Sequence, residues 1–246
     1  MKILGIIPAR LASTRFPEKA LADIMGKSMI RRTYDKCLQA SSLDSLVVAT
    51  DDEKIYKHVK DFGGNVVMTS VDHLSGTDRC NEAYENYGDN FDFVINIQGD
   101  EPFIQPQQID ILANVLTPET QIATLVKKIS DQETLFNTNT PKVVFDLNKQ
   151  AKYFSRHPVP FQRGVSESDW LKGFDYFKHI GIYAYRVDIL KEITQLPAST
   201  LELAECLEQL RWLENGYTIL VENTLFDSFG IDEPSDVQKA IQKFMC

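Results

Sequence analysis

The chain has 246 residues, 43% hydrophobic and 25% charged, with no tract biased toward a few polar types; this composition describes a folded protein with a sizeable core and excludes a disordered one. Its formal net charge of −9 speaks against nucleic acid as a partner, because such surfaces need a basic footprint to displace counterions from phosphates. The opening apolar run is too short for a membrane span and lacks a signal-peptide cleavage site, and Cys37, Cys80, Cys206 and Cys246 have no paired spacing, so a cytosolic protein with reduced cysteines, no membrane association and no zinc site is expected.

Residues 3–7 predict a buried strand, followed by a polar, basic loop over residues 8–27 and a helix over 28–40. A second strand is expected at 46–49. Asp52 is placed to cap a helix that carries Ile55, Val59 and Phe62 on one face. A strand at 66–68, a helix at 77–87 and a buried strand at 94–97 continue the alternation, which implies an α/β fold with a mostly parallel sheet flanked by helices. Beyond about residue 125 the pattern is less regular, with strands expected at 142–145, near Tyr153 and at 180–185. Residues 201–213 carry Leu203, Leu207, Leu210 and Leu213 at helical spacing, and 236–244 reads as a closing helix.

Open parallel sheets bind ligands beyond the carboxyl ends of their strands, and the polar clusters fall there: residues 8–19, 50–53 and 98–101. The segment PARLASTRFPEK presents Arg10, Arg15 and Lys19 on one loop inside an acidic chain, an arrangement suited to a triphosphate but also to a solvated surface loop. It has the glycine pattern of neither a Walker loop nor a dinucleotide fingerprint. The strand ending VINIQGDEPFI offers Asp100 and Glu101, which suit a divalent cation, although a strand-end Asp also serves as a turn or cap residue. His58 and His157 read as structural or solvent-facing; His73 stays open.

These segments together resemble the 3-deoxy-manno-octulosonate cytidylyltransferase (CMP-Kdo synthetase) family. The resemblance rests on IIPARLASTRFPEK, VVATDD, DHLSGTDR, INIQGDEP, KVVFD, YFSR, HIGIYAYR, LEQLR and GIDEPSDV, which stand in the family's order along almost the whole chain. It implies a nucleotide-diphospho-sugar transferase fold in a single domain, residues 1–246, whose region of about 125–200 contributes sugar binding and a smaller dimerisation excursion. It implies a homodimer that transfers CMP from CTP to the anomeric hydroxyl of Kdo, with Mg2+ as cofactor. By matching positions, Arg10, Ser13, Arg15, Lys19, Ser75 and Arg79 bind the nucleotide; Gln98, Arg156, His179, Tyr183, Glu208 and Gln209 bind the sugar; Asp100 and Asp232 hold the metal. Arg10, Lys19 and Asp100 carry the catalysis, and Arg156 and His179 offset the sugar carboxylate.

The chain departs from the family pattern at a few places. Glu18 replaces the usual glycine and puts an anion beside Lys19, Phe229 and Glu233 flank Asp232 differently, and Thr200 and Ala204 are uncommon in the helix before Glu208. An amino-substituted Kdo or another acidic sugar remains as an alternative substrate. A non-catalytic nucleotide-sugar sensor is disfavoured because Asp100, Asp232, Arg10 and Lys19 are all present.

Overall fold

The computed structural model describes residues 1–12, 15–88 and 90–244. The chain divides into two compact units: residues 1–114, 182–194 and 228–246 form the first, and 115–181 and 195–227 the second.

In chain order the first unit begins with β1 (Ile3–Ala9), a short ribbon of β2 (Asp23–Ile24) and β3 (Lys27–Ser28), and α1 (Met29–Cys37). It continues with β4 (Ser45–Thr50), α2 (Glu53–Asp61), β5 (Val66–Met68), α3 (Gly76–Tyr87), β6 (Phe93–Asn96) and α4 (Pro106–Asn114). β1 pairs in parallel with β4 and β6, and β4 with β5. Ile3, Leu4, Ile6 and Ile7 are all buried, as expected for a parallel strand covered on both faces. Asp52 caps α2 by accepting from the Lys54 amide, as its sequence position predicts. Ser75 opens α3 with a reciprocal capping box to Asp78, which satisfies amides that have no partner inside the helix.

The second unit contains β7 (Ile122–Lys128), α5 (Gln132–Phe136), β8 (Lys142–Phe145), β9 (Ala151–Ser155), α6 (Trp170–Gly173) and the start of β10 (Phe177–Arg186). The rest of β10 belongs to the first unit, where it runs antiparallel to β6 with Tyr183 opposite Asn96, and is followed by α7 (Val187–Ile193). The chain then supplies the second unit with α8 (Thr200–Glu205), α9 (Gln209–Glu214) and β11 (Ile219–Asn223), which pairs in parallel with β7. β8 and β9 form an antiparallel pair. Finally α10 (Pro234–Phe244) returns to the first unit. There Ile231 and Ala240 pack with Ile24, Met29 and Phe103, and Phe244 stacks on Phe103 at 5.2 Å.

Two expectations change. The first helix stops at Cys37 instead of residue 40. The single helix expected over 201–213 is two, separated at Cys206, whose φ of 51° is left-handed. That turn breaks the leucine stripe: Leu207 and Leu210 are buried, while Leu203 points to solvent. A left-handed conformation costs an L-residue about 1–2 kcal/mol and suits glycine best. Cys206→Val, β-branched and therefore worse placed there, is expected to lower unfolding stability by about 1–2 kcal/mol in urea titrations, and Cys206→Gly to leave it equal or higher.

Candidate active site

The carboxyl ends of β1, β4 and β6 lie at one edge of the parallel sheet, and the loops leaving them build a cleft of about 330 Å³ within the first unit. Its walls include Arg10, Arg15 and Lys19 from the basic loop, His73 and Ser75 ahead of α3, Arg79 on α3, and Gln98 and Asp100 after β6, with Asp232 from the segment before α10. Eight sequence-predicted residues thus meet in one place: Arg10, Arg15, Lys19, Ser75, Arg79, Gln98, Asp100 and Asp232. Ser13 lies outside the described residues.

Lys19 is the centre of this arrangement. Its ammonium lies 2.6 Å from Asp100 Oδ2 and 3.5 Å from Asp232 Oδ1, so both carboxylates converge on one cation position, and Arg15 donates to Asp232 Oδ1 at 3.0 Å. Asp232 arrives there because its segment is pinned: the Ile231 amide donates to the Asp100 carbonyl at 2.9 Å, and α10 packs on Phe103 and Met29. Glu101 hydrogen-bonds with Ser228 of the same segment; burial, and then the neighbouring Asp100 charge, push its carboxyl up to about 8.

Glu18 does not screen Lys19 as its position in the sequence suggests, because its carboxylate pairs with Lys54 at 2.7 Å. Its φ of 55° is left-handed, the region that suits glycine best. Gly99 has a different constraint. A Cβ there would stand 2.7 Å from the Pro8 carbonyl oxygen, so the glycine permits β1 and the Asp100 turn to approach closely.

Arg79 is almost fully buried and donates to Asp51 Oδ2 at 2.7 Å, to Thr69 Oγ1 at 2.5 Å and to the Ser70 carbonyl at 3.2 Å. It therefore braces the ends of two strands as well as lining the cleft. His73 is held by Glu82, which also accepts from the Ser70 amide at 2.8 Å. Ser75 Oγ accepts from the Asp78 amide, and Ser75 lines the cleft at the amino end of α3, where helix dipole and free amides favour an anion. Sequence reasoning gave no role to Asp51, Thr69, Glu82 or Ser228. Asp51 was open to detection, since it follows a buried strand in VVATDD; the others depend on tertiary packing.

The residues expected to bind sugar fall in both units. Tyr183, buried in β10, stacks on Tyr185 at 5.8 Å and belongs with Gln98 to the first unit. In the second, Arg156 donates from Nε to the Glu205 carbonyl at 2.6 Å and from its terminal nitrogens to the Thr138 and Cys206 carbonyls at 3.1 Å each. Gln209 is buried with its Nε2 lacking a partner among the described residues, an uncommon condition that a ligand acceptor would relieve. Glu208 immediately precedes it at the start of α9. His179 contacts Thr124 Oγ1 at 3.0 Å and Phe154 edge-on. Burial pushes its imidazole down to about 3, which favours the neutral ring in the ligand-free protein.

Basic side chains and a pair of carboxylates beyond the ends of parallel strands define a nucleotidyltransferase-type site. Comparison with known proteins makes the class specific. A family model described as cytidylyltransferase matches residues 4–220. The chain is 59% identical over 244 residues to a 3-deoxy-manno-octulosonate cytidylyltransferase of Bacteroides thetaiotaomicron, covering 98% of this chain and 97% of that one. To a protein of the same description from Cytophaga hutchinsonii it is 56% identical over 238 residues, covering 96% and 95%. A solved CMP:2-keto-3-deoxy-manno-octonic acid synthetase complexed with CTP matches with a TM-score of 0.92 at 39% identity, covering 100% of this chain and 99% of that one. The chain belongs to the 3-deoxy-manno-octulosonate cytidylyltransferase family.

Since the atom facing Gly99 is backbone and cannot swing aside, Gly99→Ala is expected to separate the Pro8 and Asp100 turns. Overpacking of this kind costs about 1–3 kcal/mol. Urea titration is expected to show that loss together with weakened CTP binding in calorimetry; an alanine variant with unchanged stability and CTP affinity contradicts the close approach.

Proposed function

We infer that the chain transfers the cytidylyl group of CTP to the anomeric hydroxyl of 3-deoxy-manno-octulosonate, giving CMP-Kdo and pyrophosphate. The observation that carries this reading is the convergence of Lys19, Asp100 and Asp232 in a cleft walled by Arg10 and Arg15, in a chain 59% identical to a relative described by that activity.

Arg10, Arg15 and Lys19 take the triphosphate oxygens, with Ser75 and the amino end of α3 beside them, and Arg79 holds the cleft wall in place. Asp100 and Asp232 suit Mg2+: two carboxylates within reach of one cation position, and no cluster of three or more His, Cys, Asp or Glu among the described residues, match an ion that takes its remaining ligands from phosphates and water. Bound there, Mg2+ supplies charge neutralisation at the reacting phosphate and lowers the pKa of the attacking hydroxyl. Lys19 and Arg10 stabilise the charge that develops on the departing pyrophosphate.

A covalent protein nucleophile has no part in this scheme, because orientation of an in-line attack and neutralisation of phosphate charge carry phosphoryl transfer. Cys37 and Cys80 are buried, and burial raises the Cys37 thiol well above its ordinary value. On the sugar side, Gln98, Tyr183, Glu208 and Gln209 match hydroxyl groups, and Arg156 supplies positive charge for the carboxylate, assisted by neutral His179 as a hydrogen-bonding ring. A polar site of this kind rejects analogues that leave its own groups unpaired.

The product's place is in lipopolysaccharide synthesis. The protein acts in the cytosol, consistent with the free, buried Cys37 and Cys80 and with the absence, among the described residues, of a helix long and apolar enough to cross a membrane. It works as a homodimer. The second unit exposes Phe136, Phe161, Val165 and Phe174, with Phe136 and Phe161 against Trp170 and Phe174 against Tyr176; exposed apolar side chains grouped in this way support the reading. Light scattering of the purified protein is expected to give the dimer mass.

Pyrophosphate release measured across CTP, UTP and several acidic sugars tests the reading, with turnover expected for CTP and Kdo in the presence of Mg2+. Preference for an amino-substituted Kdo would move the substrate assignment to that sugar. Lys19→Ala is expected to weaken CTP use by roughly ten- to a hundredfold, the equivalent of about 1.5–3 kcal/mol for a charge-assisted contact. Asp232→Asn, which keeps the shape and removes one charge, is expected to raise the Mg2+ requirement and slow turnover by about a hundredfold. Near-normal turnover of Asp232→Asn at low Mg2+ would remove it as a metal ligand.

A further inference from the structure

Lys142 opens β8 with no solvent exposure. A buried ammonium persists only where its donors are met, and here three backbone carbonyls meet them: Asn137 at 2.8 Å, Thr140 at 2.7 Å and Arg156 at 2.7 Å. One cation therefore ties the loop before β8 to the residue after β9.

The second segment carries Arg156, assigned to the sugar, and the first adjoins His179. The carbonyl of Pro141, next to Lys142, accepts from the His179 amide at 2.9 Å. Arg156 extends the web: its amide donates to Glu205 Oε2 at 2.8 Å, and its guanidinium reaches the carbonyls of Thr138, Glu205 and Cys206. Glu205 also accepts from Ser155 Oγ at 2.9 Å. At Cys206 the backbone turns left-handed, and after Leu207 come Glu208 and Gln209, whose Nε2 has no partner among the described residues. The ammonium of Lys142 thus stands at the root of the contacts that set Arg156, His179 and the turn at residues 205–209.

We propose, resting on the sugar assignment above, that Lys142 is a positioning residue for sugar recognition: its buried ammonium fixes Arg156 and, through it, the turn that presents Glu208 and Gln209. The groups facing it are Arg156 and Glu205, with Lys178 opposite in register on β10. Burial, aided by the Arg156 charge and opposed by Glu205, pushes the Lys142 ammonium down to about 8. The neutral amine keeps two N–H groups for three carbonyls, so the web loses a contact as pH rises through that value.

The test is steady-state kinetics with both substrates for the wild type, Lys142→Met, Lys142→Arg and Gln209→Ala. Lys142→Met is expected to raise KM for Kdo by about tenfold or more while KM for CTP stays within about twofold, the signature of a lost substrate-side interaction. Lys142→Arg, which retains a cation with several donors, is expected to recover most of that loss. Across pH 7 to 9 the wild type is expected to show a rise in KM for Kdo that Lys142→Met lacks. If Lys142→Met does not fold, Glu205→Ala, which cuts the same web from its far end, is expected to give the same split between substrates. Equal weakening of both substrates, or no change in KM for Kdo, overturns the positioning role. Gln209→Ala separates the two layers: with its KM for Kdo raised and that of the Lys142 and Glu205 variants unchanged, the sugar assignment stands and the role of Lys142 falls, whereas an unchanged Gln209→Ala removes the assignment itself.

Discussion

The site depends on one ammonium. Lys19 stands between Asp100 and Asp232, and these residues come from the loop after β1, the turn after β6 and the segment before α10. Two carboxylates that both reach one ammonium repel one another, so the pair needs a cation beside it. Lys19, with Arg15 on Asp232, supplies that charge in the free protein. In the function proposed above, a triphosphate would take the same two cations and a divalent ion the same two carboxylates. The proposed chemistry is therefore an exchange of partners among groups that already balance one another.

The scaffold makes that exchange local. Gly99 lets β1 and the Asp100 turn approach closely. Arg79 locks Asp51, Thr69 and Ser70 together behind the cleft. The docking of α10, by Phe244 on Phe103 and the Ile231 amide on the Asp100 carbonyl, carries Asp232 to its place. In the second unit charge does related work: the Lys142 ammonium and the Arg156 guanidinium are engaged by backbone carbonyls.

Much of the first unit was legible because its strands are short apolar runs followed by polar turns and its helices carry their own caps, Asp52 for α2 and Ser75 for α3. The basic loop and the GDE turn were legible as chemistry; their pairing with Asp232 came only from resemblance, since nothing local brings residue 232 to residue 100. Less could be read where tertiary contacts decide. β7 and β11 pair with each other across almost a hundred residues and carry no alternation that separates a buried strand from a buried helix. The leucine spacing over 201–213 suggested one helix because periodicity does not report a left-handed residue at Cys206. His179 read as a partner for negative charge; burial pushes its imidazole down, and burial is not written in the motif HIGIYAYR.

Crystallography of the protein with CTP and Mn2+ in place of Mg2+, using anomalous scattering to locate the metal, tests the central claim most directly. The account predicts a metal peak coordinated by both Asp100 and Asp232, with the Lys19 ammonium displaced from the carboxylates onto a phosphate oxygen. A metal bound elsewhere, or Lys19 still paired with Asp100 while nucleotide and metal occupy the cleft, contradicts it.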